Sequence, residues 1–264
     1  MSRPAAPIRI ALTRGVSPDV GRCQLTHIAR EPIDYSTAVA QHAAYEQCLA
    51  DLGCEVTRLS PGIGLPDAVF IEDTAIVLEE LAVITRPGAP SRRREGPDVA
   101  DALRHYRPLS TLRGPGTLDG GDVLVVDHTL YVGHSTRTDA AGAGELQRLV
   151  GPYGYTTRRV VVGKSLHLKS AVTAVAEGTL LVNPECVDTA IFQGMCLLEV
   201  DPAEPFGANA VRIGDTILYP SAYERTRRRL EAEGLTVRPV DASELAKAEG
   251  GVTCCSLIFT AQPG

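Results

Sequence analysis

No apolar stretch in the 264 residues approaches the ~18 needed to span a bilayer, so no membrane partner is expected. The first fifteen residues carry Arg9 inside their only apolar run, which argues against a secretory leader. No basic excess exists either. The net charge is −6, and the runs "SRRRE" (91–95) and "ERTRRR" (224–229) are short and flanked by acids. These read as solvated faces, and a nucleic-acid footprint is not expected. The seven cysteines form no C-x-x-C pair, and no histidine has a companion at ligand spacing. An odd cysteine count in a chain too long to need stapling points to reduced thiols, hence to the cytoplasm. No low-complexity linker divides residues 1–264, so one domain is expected.

What is present is a repeating grammar. Segments 70–88, 118–138, 166–185 and 207–226 each read as a small or charged lead, an apolar strand, a polar turn and a second strand. The turns are "LEEL", "VDHT", "AEGT" and "IGDT", which together with β-branched flanks predict hairpins. Between them lie helix-period segments at 38–61, 142–162 and 223–240, ending near Gly53, Gly154 and Gly234 before another short strand. Glycine there signals a helix stop, because it enters the left-handed region at little cost. The unit is hairpin, helix, strand, repeating at a spacing of roughly 40–50 residues, which suggests a closed ring. Four units are explicit. A fifth follows if "VTCCSLIF" near the end pairs with "IRIALTR" near the start, which also removes exposed sheet edges. The fold class is therefore an α/β ring of about five units. A doubly wound sheet is the alternative, but it alternates single strands with helices.

In such a ring the leads converge on the axis. They contain Glu72, Asp73, Asp119, Asp122, His167, Asn209 and Cys254. A structural core has no use for this set, since buried acids are costly unless paired. His27, His42, His105, His128 and His134 fall in loops, turns or helix surface and read mostly as solvent-facing. Alone, His167 would read as a satisfied core histidine, but it sits at a repeat position. A cysteine, a histidine and carboxylates in one pocket suit nucleophilic catalysis. Excess acid around the nucleophile suits a cationic electrophile such as a guanidinium. Arg86 and Arg137, just after the strands of two hairpins, are placed to clamp an acidic group at the far end of the same molecule.

The adjacent Cys254 and Cys255 admit other readings. They could belong to a zinc or thiol-binding protein without catalysis, or form a vicinal disulfide. In a strand, however, neighbours face opposite sides. One sulfur then faces the axis and the other the outer helices.

The blocks "LPDAVFIED", "ITRPGAPSRR", "TLDGGDVLVV", "LHLKS" and "VTCCS", in this order from about Leu12 to Phe259, resemble the dimethylarginine dimethylaminohydrolase family of the guanidine-modifying (pentein) superfamily. The resemblance implies a five-bladed pseudo-symmetric α/β propeller. It implies hydrolysis of N-methylated L-arginine to L-citrulline and methylamine or dimethylamine, without metal or organic cofactor. By the same resemblance Cys254 is the nucleophile, His167 the general acid and base, and Asp119 their acidic partner. Asp73 would bind the guanidinium, with Asp67, Phe70 and Glu72 lining the pocket. Arg86 and Arg137 would bind the substrate carboxylate. The main-chain carbonyls of Leu25 and Ala248 would receive the α-amino group, with the loop around Leu25 as a lid. The expected partner is a small-molecule guanidine, and the expected state a monomer or homodimer.

Two positions depart from the family's pattern. Glu249 stands in "EGG" where "DGG" or "DGL" is common, and Asp139 in "RTD" where "RTN" is common. Glu249 is expected to bear on the α-amino end, and Asp139 to add negative charge near Arg137. A related hydrolase acting on free arginine or another substituted guanidine is the nearest alternative activity.

Overall fold

The computed structural model describes residues 8–261. Five three-stranded sheets form the molecule, and all share one connectivity. Each has an antiparallel pair of strands, the central one of which also pairs in parallel with a third. The second sheet joins Ala75–Val77, Ala82–Ile84 and Leu109–Thr111. The third joins Val123–Val126, Thr129–His134 and Thr156–Val161. The fourth joins Val172–Ala176, Thr179–Val182 and Cys196–Glu199. The fifth joins Val211–Ile213, Thr216–Pro220 and Thr236–Val240. The remaining sheet is made by the two ends. Ser256–Ala261 runs antiparallel to Ile8–Arg14, with Ile8 opposite Ala261 and Thr13 opposite Ser256, and Cys54–Leu59 completes it in parallel. The architecture is a five-fold pseudo-symmetric α/β propeller, and the ring is closed as expected from the sequence.

The predicted turns and stops are present. Asp127, Gly178 and Gly214 take positive φ in three of the four hairpin turns, the conformation that tight hairpins demand. Helices Tyr35–Asp51, Ala140–Val150 and Glu224–Ala232 follow the periodicity, and Gly53, Gly154 and Gly234 sit at φ of 86°, 85° and 80° near their ends. Asp34 caps the first of these by accepting from Thr37 N at 2.7 Å. Asp139 caps the second, with Oδ1 accepting from Gly142 N at 2.8 Å and Oδ2 from Thr117 N at 3.1 Å. The departure at position 139 is thus explained locally: its charge is spent on a helix N-terminus and a neighbouring turn. Among the described residues, no helix is long and apolar enough to cross a membrane.

Aliphatic packing fixes where the blades stand. Ile10, Leu12, Ile71, Leu103 and Leu257 interlock the closing sheet with the second. Each fully buried side chain of this size contributes about 1.5–3 kcal/mol. The short turns that lead into each hairpin are thereby held around the axis.

Three local expectations fail. Thr253–Cys255 form a 3-10 turn, and the strand begins only at Ser256. The Cys254 N–H bonds back to Gly251 O at 3.2 Å, so a turn closes where the β-branched pattern suggested a continuous strand. His42 is buried rather than solvent-facing, because it lies on the inner face of Tyr35–Asp51. Part of the run 91–95 is buried too: Arg92 and Glu95 are 4% and 2% exposed, whereas Arg93 and Arg94 face solvent.

Candidate active site

The site is assembled from the leads of successive blades. Ile71–Thr74 and Gly120–Asp122 are 3-10 turns, Leu168–Ala171 is one helical turn directly after His167, and Thr253–Cys255 is a further 3-10 turn. These turns aim Glu72, Asp73, Asp119, Asp122, His167 and Cys254 into one buried region.

His167 stands between two carboxylates. Its Nε2 lies 3.0 Å from Asp119 Oδ2, and its Nδ1 3.7 Å from Asp73 Oδ1. Burial works against its charge, but Asp73, Asp119 and Asp122 together outweigh burial and raise it to about 9. The Oδ1 of Asp119 accepts from Gly88 N at 2.8 Å, which fixes the carboxylate that meets the imidazole. With Nε2–H donating to Asp119, Nδ1 is the ring nitrogen turned toward Asp73.

Asp73 is shaped by opposing forces. Burial would raise its pKa, yet His167 and the paired Arg92 guanidinium bring it down to about 2. Oδ1 accepts from Gly121 N at 3.0 Å, and Arg92 Nη1 pairs with Oδ2. Gly121 is required there: a Cβ would lie 2.6 Å from Asp73 Oδ1 and 2.8 Å from His167 Nδ1. Arg92 also bonds Glu95 at 2.8 Å, Phe70 O at 2.9 Å and Asp67 O at 3.2 Å. It was not singled out from the sequence. The signal available was the acid three residues on, Glu95, at a spacing that pairs on one helical turn.

Cys254 is buried beside Glu72 and Asp73. Burial first, and these acids second, push its thiol up to about 12. Gly251 N donates to Sγ at 3.3 Å. Its turn is held by Thr253, whose hydroxyl donates to Glu72 Oε2 at 2.8 Å and accepts from Asn209 Nδ2 at 2.9 Å. Glu72 in turn pairs with Lys169 Nζ at 2.6 Å, and burial still raises its carboxyl. The two glycines before the turn allow close packing. A Cβ on Gly250 would overlap the Phe70 ring, and one on Gly251 the Asn209 amide. Cys255 borders a small cavity with His42, Tyr45 and Leu245, on the side of Tyr35–Asp51. The two sulfurs therefore part company as expected, but through a turn and not through strand alternation.

The remaining candidates fall into two groups. Asp67, Phe70, Leu25 and Ala248 lie together: Leu25 packs on the cluster containing Phe70, Ala248 and Cys254, and Asp67 Oδ1 accepts from Gln24 N at 2.9 Å. Arg137 joins them, its Nη2 donating to Thr26 Oγ1 at 3.2 Å and its charge acting on Asp67. Arg86 does not join them. It lines another groove with Thr111, Arg93 and Arg113, its guanidinium against Gly114 and Pro115. Among the described residues, the donor group with the spacing of a cation site is Asp73, Asp119 and His167, not the cysteine doublet.

Comparison with known proteins agrees with the fold. The family model described as N,N dimethylarginine dimethylhydrolase, eukaryotic, matches residues 24–196. The N(G),N(G)-dimethylarginine dimethylaminohydrolase of Streptomyces coelicolor is 38% identical, over 95% of this chain and 97% of the relative. That of Pseudomonas aeruginosa is 35% identical, over 86% of this chain and 90% of the relative. A solved structure of the Pseudomonas aeruginosa protein, a cysteine-to-serine mutant complexed with citrulline, superposes with a TM-score of 0.91 at 32% identity, covering 96% of this chain and 99% of that one. The N-terminal domain of a cyanobacterial arginine dihydrolase shares the fold, with a TM-score of 0.84 at 20% identity over 95% and 97% of the two chains.

Proposed function

The chain belongs to the dimethylarginine dimethylaminohydrolase family, and on that footing we propose that Cys254, His167 and Asp119 hydrolyse N-methylated L-arginine to L-citrulline and methylamine or dimethylamine. The observation that carries the residue assignment is the buried His167 between Asp119 and Asp73, on the same ring of leads as the Cys254 thiol.

The guanidinium enters beside Glu72 and Asp73, which pair with Lys169 and Arg92. Asp73 receives it, held in place by Arg92 and Gly121 N–H. The incoming cation offsets Glu72 and Asp73, so Cys254 loses its proton to solvent on binding. The thiolate attacks the guanidinium carbon and forms an S–C bond. His167, raised to about 9 and so protonated at neutral pH, gives its Nδ1 proton to the departing amine as the C–N bond breaks. A covalent thiouronium remains. Neutral His167 then takes a proton from water and hydroxide adds to the same carbon. The C–S bond breaks to release the thiolate, and the added hydroxyl gives its proton to solvent, leaving citrulline. These steps use side chains and one water.

The amino-acid end of the substrate lies toward Asp67, Arg137 and the loop carrying Leu25. Arg137 supplies the cation for the α-carboxylate, since among the described residues its side-chain bond is to the neutral hydroxyl of Thr26. The carbonyls of Leu25 and Ala248 receive the α-amino group. We place the protein in the cytoplasm, in keeping with its seven free cysteines, as a monomer or homodimer. The direct test is citrulline release from arginine, monomethylarginine and asymmetric dimethylarginine. A rate on the methylated substrates that does not exceed the rate on arginine would refute the assignment of substrate.

A further inference from the structure

The loop that follows Cys23 meets the opposite side of the site through one side chain. Glu249 Oε2 accepts from Thr26 N at 2.7 Å, and Oε1 accepts from His27 N and from Ile28 N, the latter at 3.0 Å. Three successive amides thus point at a single carboxylate from 221 to 223 residues away in sequence. Charge-assisted bonds of this kind are about twice as strong as neutral ones. Glu249 itself is held at φ 58°, a conformation side-chain-bearing residues seldom adopt, and this aims the carboxylate at the loop.

The same short loop holds two other groups. Gln24 N donates to Asp67 Oδ1 at 2.9 Å, and Thr26 Oγ1 accepts from Arg137 Nη2 at 3.2 Å. Between these lies Leu25, packed toward Phe70 and Ala248. The loop therefore ties together the groups facing the amino-acid end of the proposed substrate, and Glu249 is its anchor on the nucleophile's side. Asp73, Asp119 and His167 make no such contact with the loop.

We propose that Glu249 is a positioning residue for the amino-acid end of the substrate: by fixing Thr26–Ile28 it sets Leu25, Arg137 and Asp67, and so governs affinity without touching the reacting carbon. This rests on the methylarginine hydrolase reading above. Glu249 acts on recognition, not on the thiol. Its removal should weaken binding of substrates that carry an α-amino acid, and spare fragments that carry only the amidine.

The test compares wild type with Glu249→Ala, Glu249→Gly and Glu249→Gln. The glycine variant guards against misfolding, because glycine accepts positive φ without strain. Three readouts are taken. Amide hydrogen exchange at Thr26, His27 and Ile28 should accelerate at least tenfold in the alanine and glycine variants. KM for dimethylarginine should rise about tenfold while kcat holds within about threefold, the pattern of lost uniform binding. Inactivation by 2-chloroacetamidine, which lacks the amino-acid end, should keep its wild-type rate. Glutamine, with one acceptor in place of two, should fall between. Unchanged exchange at the three amides overturns the anchor. A fall in 2-chloroacetamidine inactivation that matches the fall in kcat/KM overturns the division between recognition and chemistry. An active wild type with unchanged KM in every variant overturns the inference alone, and a wild type inert toward every guanidine overturns the functional reading instead, with the exchange measurement still deciding the anchor.

Discussion

Asp119 holds His167 by Nε2 at 3.0 Å, while the other ring nitrogen is left 3.7 Å from Asp73. One carboxylate orients and the other waits at a distance beyond a hydrogen bond. The two sides of the imidazole are therefore not equivalent, and the free side is the one turned toward Asp73, the acid proposed to receive the guanidinium. Substituting Asp119 by Asn keeps the shape but offers Nε2 a weaker, neutral partner. We expect kcat for dimethylarginine hydrolysis to fall by about 10²–10⁴, the range associated with loss of a positioned acid–base group. His167→Asn should do at least as much. Steady-state citrulline assays decide both.

The cysteine doublet divides cleanly. Cys254→Ser should lose turnover by at least about 10³, because a hydroxyl is a far poorer nucleophile in this setting. Cys255→Ser should keep kcat within a few-fold and lose about 1–2 kcal/mol of stability, as a small buried apolar group is exchanged for a hydroxyl. Mass spectrometry after 2-chloroacetamidine treatment should find the adduct on Cys254. An adduct on Cys255 would reverse the assignment.

The pH dependence follows from the shifted groups. The Cys254 thiol lies near 12 in the free protein and His167 near 9. Alkylation by a neutral reagent such as iodoacetamide should therefore keep rising with pH through and beyond 9, with no plateau near neutrality. A cationic haloamidine should react readily at pH 7, since it brings the charge that stabilises the thiolate. A plateau below pH 8 with iodoacetamide would show a thiolate already formed. Stability has its own signature. A histidine raised from 6.5 to about 9 contributes stability that is fully present below pH 6.5 and lost as pH rises through 9. The Tm difference between wild type and His167→Asn should shift against wild type between pH 6.5 and 9.5.

Arg92, Arg137 and Arg86 should behave differently. Arg92→Met leaves Asp73 and Glu95 buried without their cation, at a cost of about 3–5 kcal/mol. Urea denaturation should show it. Arg137→Gln should raise KM for dimethylarginine about tenfold with little change in kcat. Arg86→Gln, in its separate groove, should leave KM unaltered and stability within about 0.5 kcal/mol. A raised KM for the Arg86 variant would restore it to the substrate site.

Much of the ring was legible because its determinants are local. Hairpin turns and helix stops are short-range signals repeated from blade to blade. The leads could be named for the same reason, since the repeat itself aligned Asp73, Asp119, His167 and Cys254. What escaped depends on contacts distant in sequence. Arg92 sits in a run that looks solvated, and only the fold shows that Asp73, nineteen positions earlier, closes over it. Arg86 and Arg92 lie six residues apart, and nothing local tells which guanidinium turns inward. The turn at Cys254 escaped because Thr, Cys and Ser next to an apolar run read as strand, while a backbone bond to Gly251 bends the chain. Thr253 and Asn209 likewise gain meaning only from each other.

The pairing of Ser256–Ala261 with Ile8–Arg14 has a consequence for how damage to the ring would be felt. Cys254, the proposed nucleophile, is seated on the turn directly before Ser256–Ala261, whereas Asp119 and His167 stand at the entrances to other sheets. A change that loosened this one pair of strands would displace the thiol from its proposed partners and leave the other four sheets as they are.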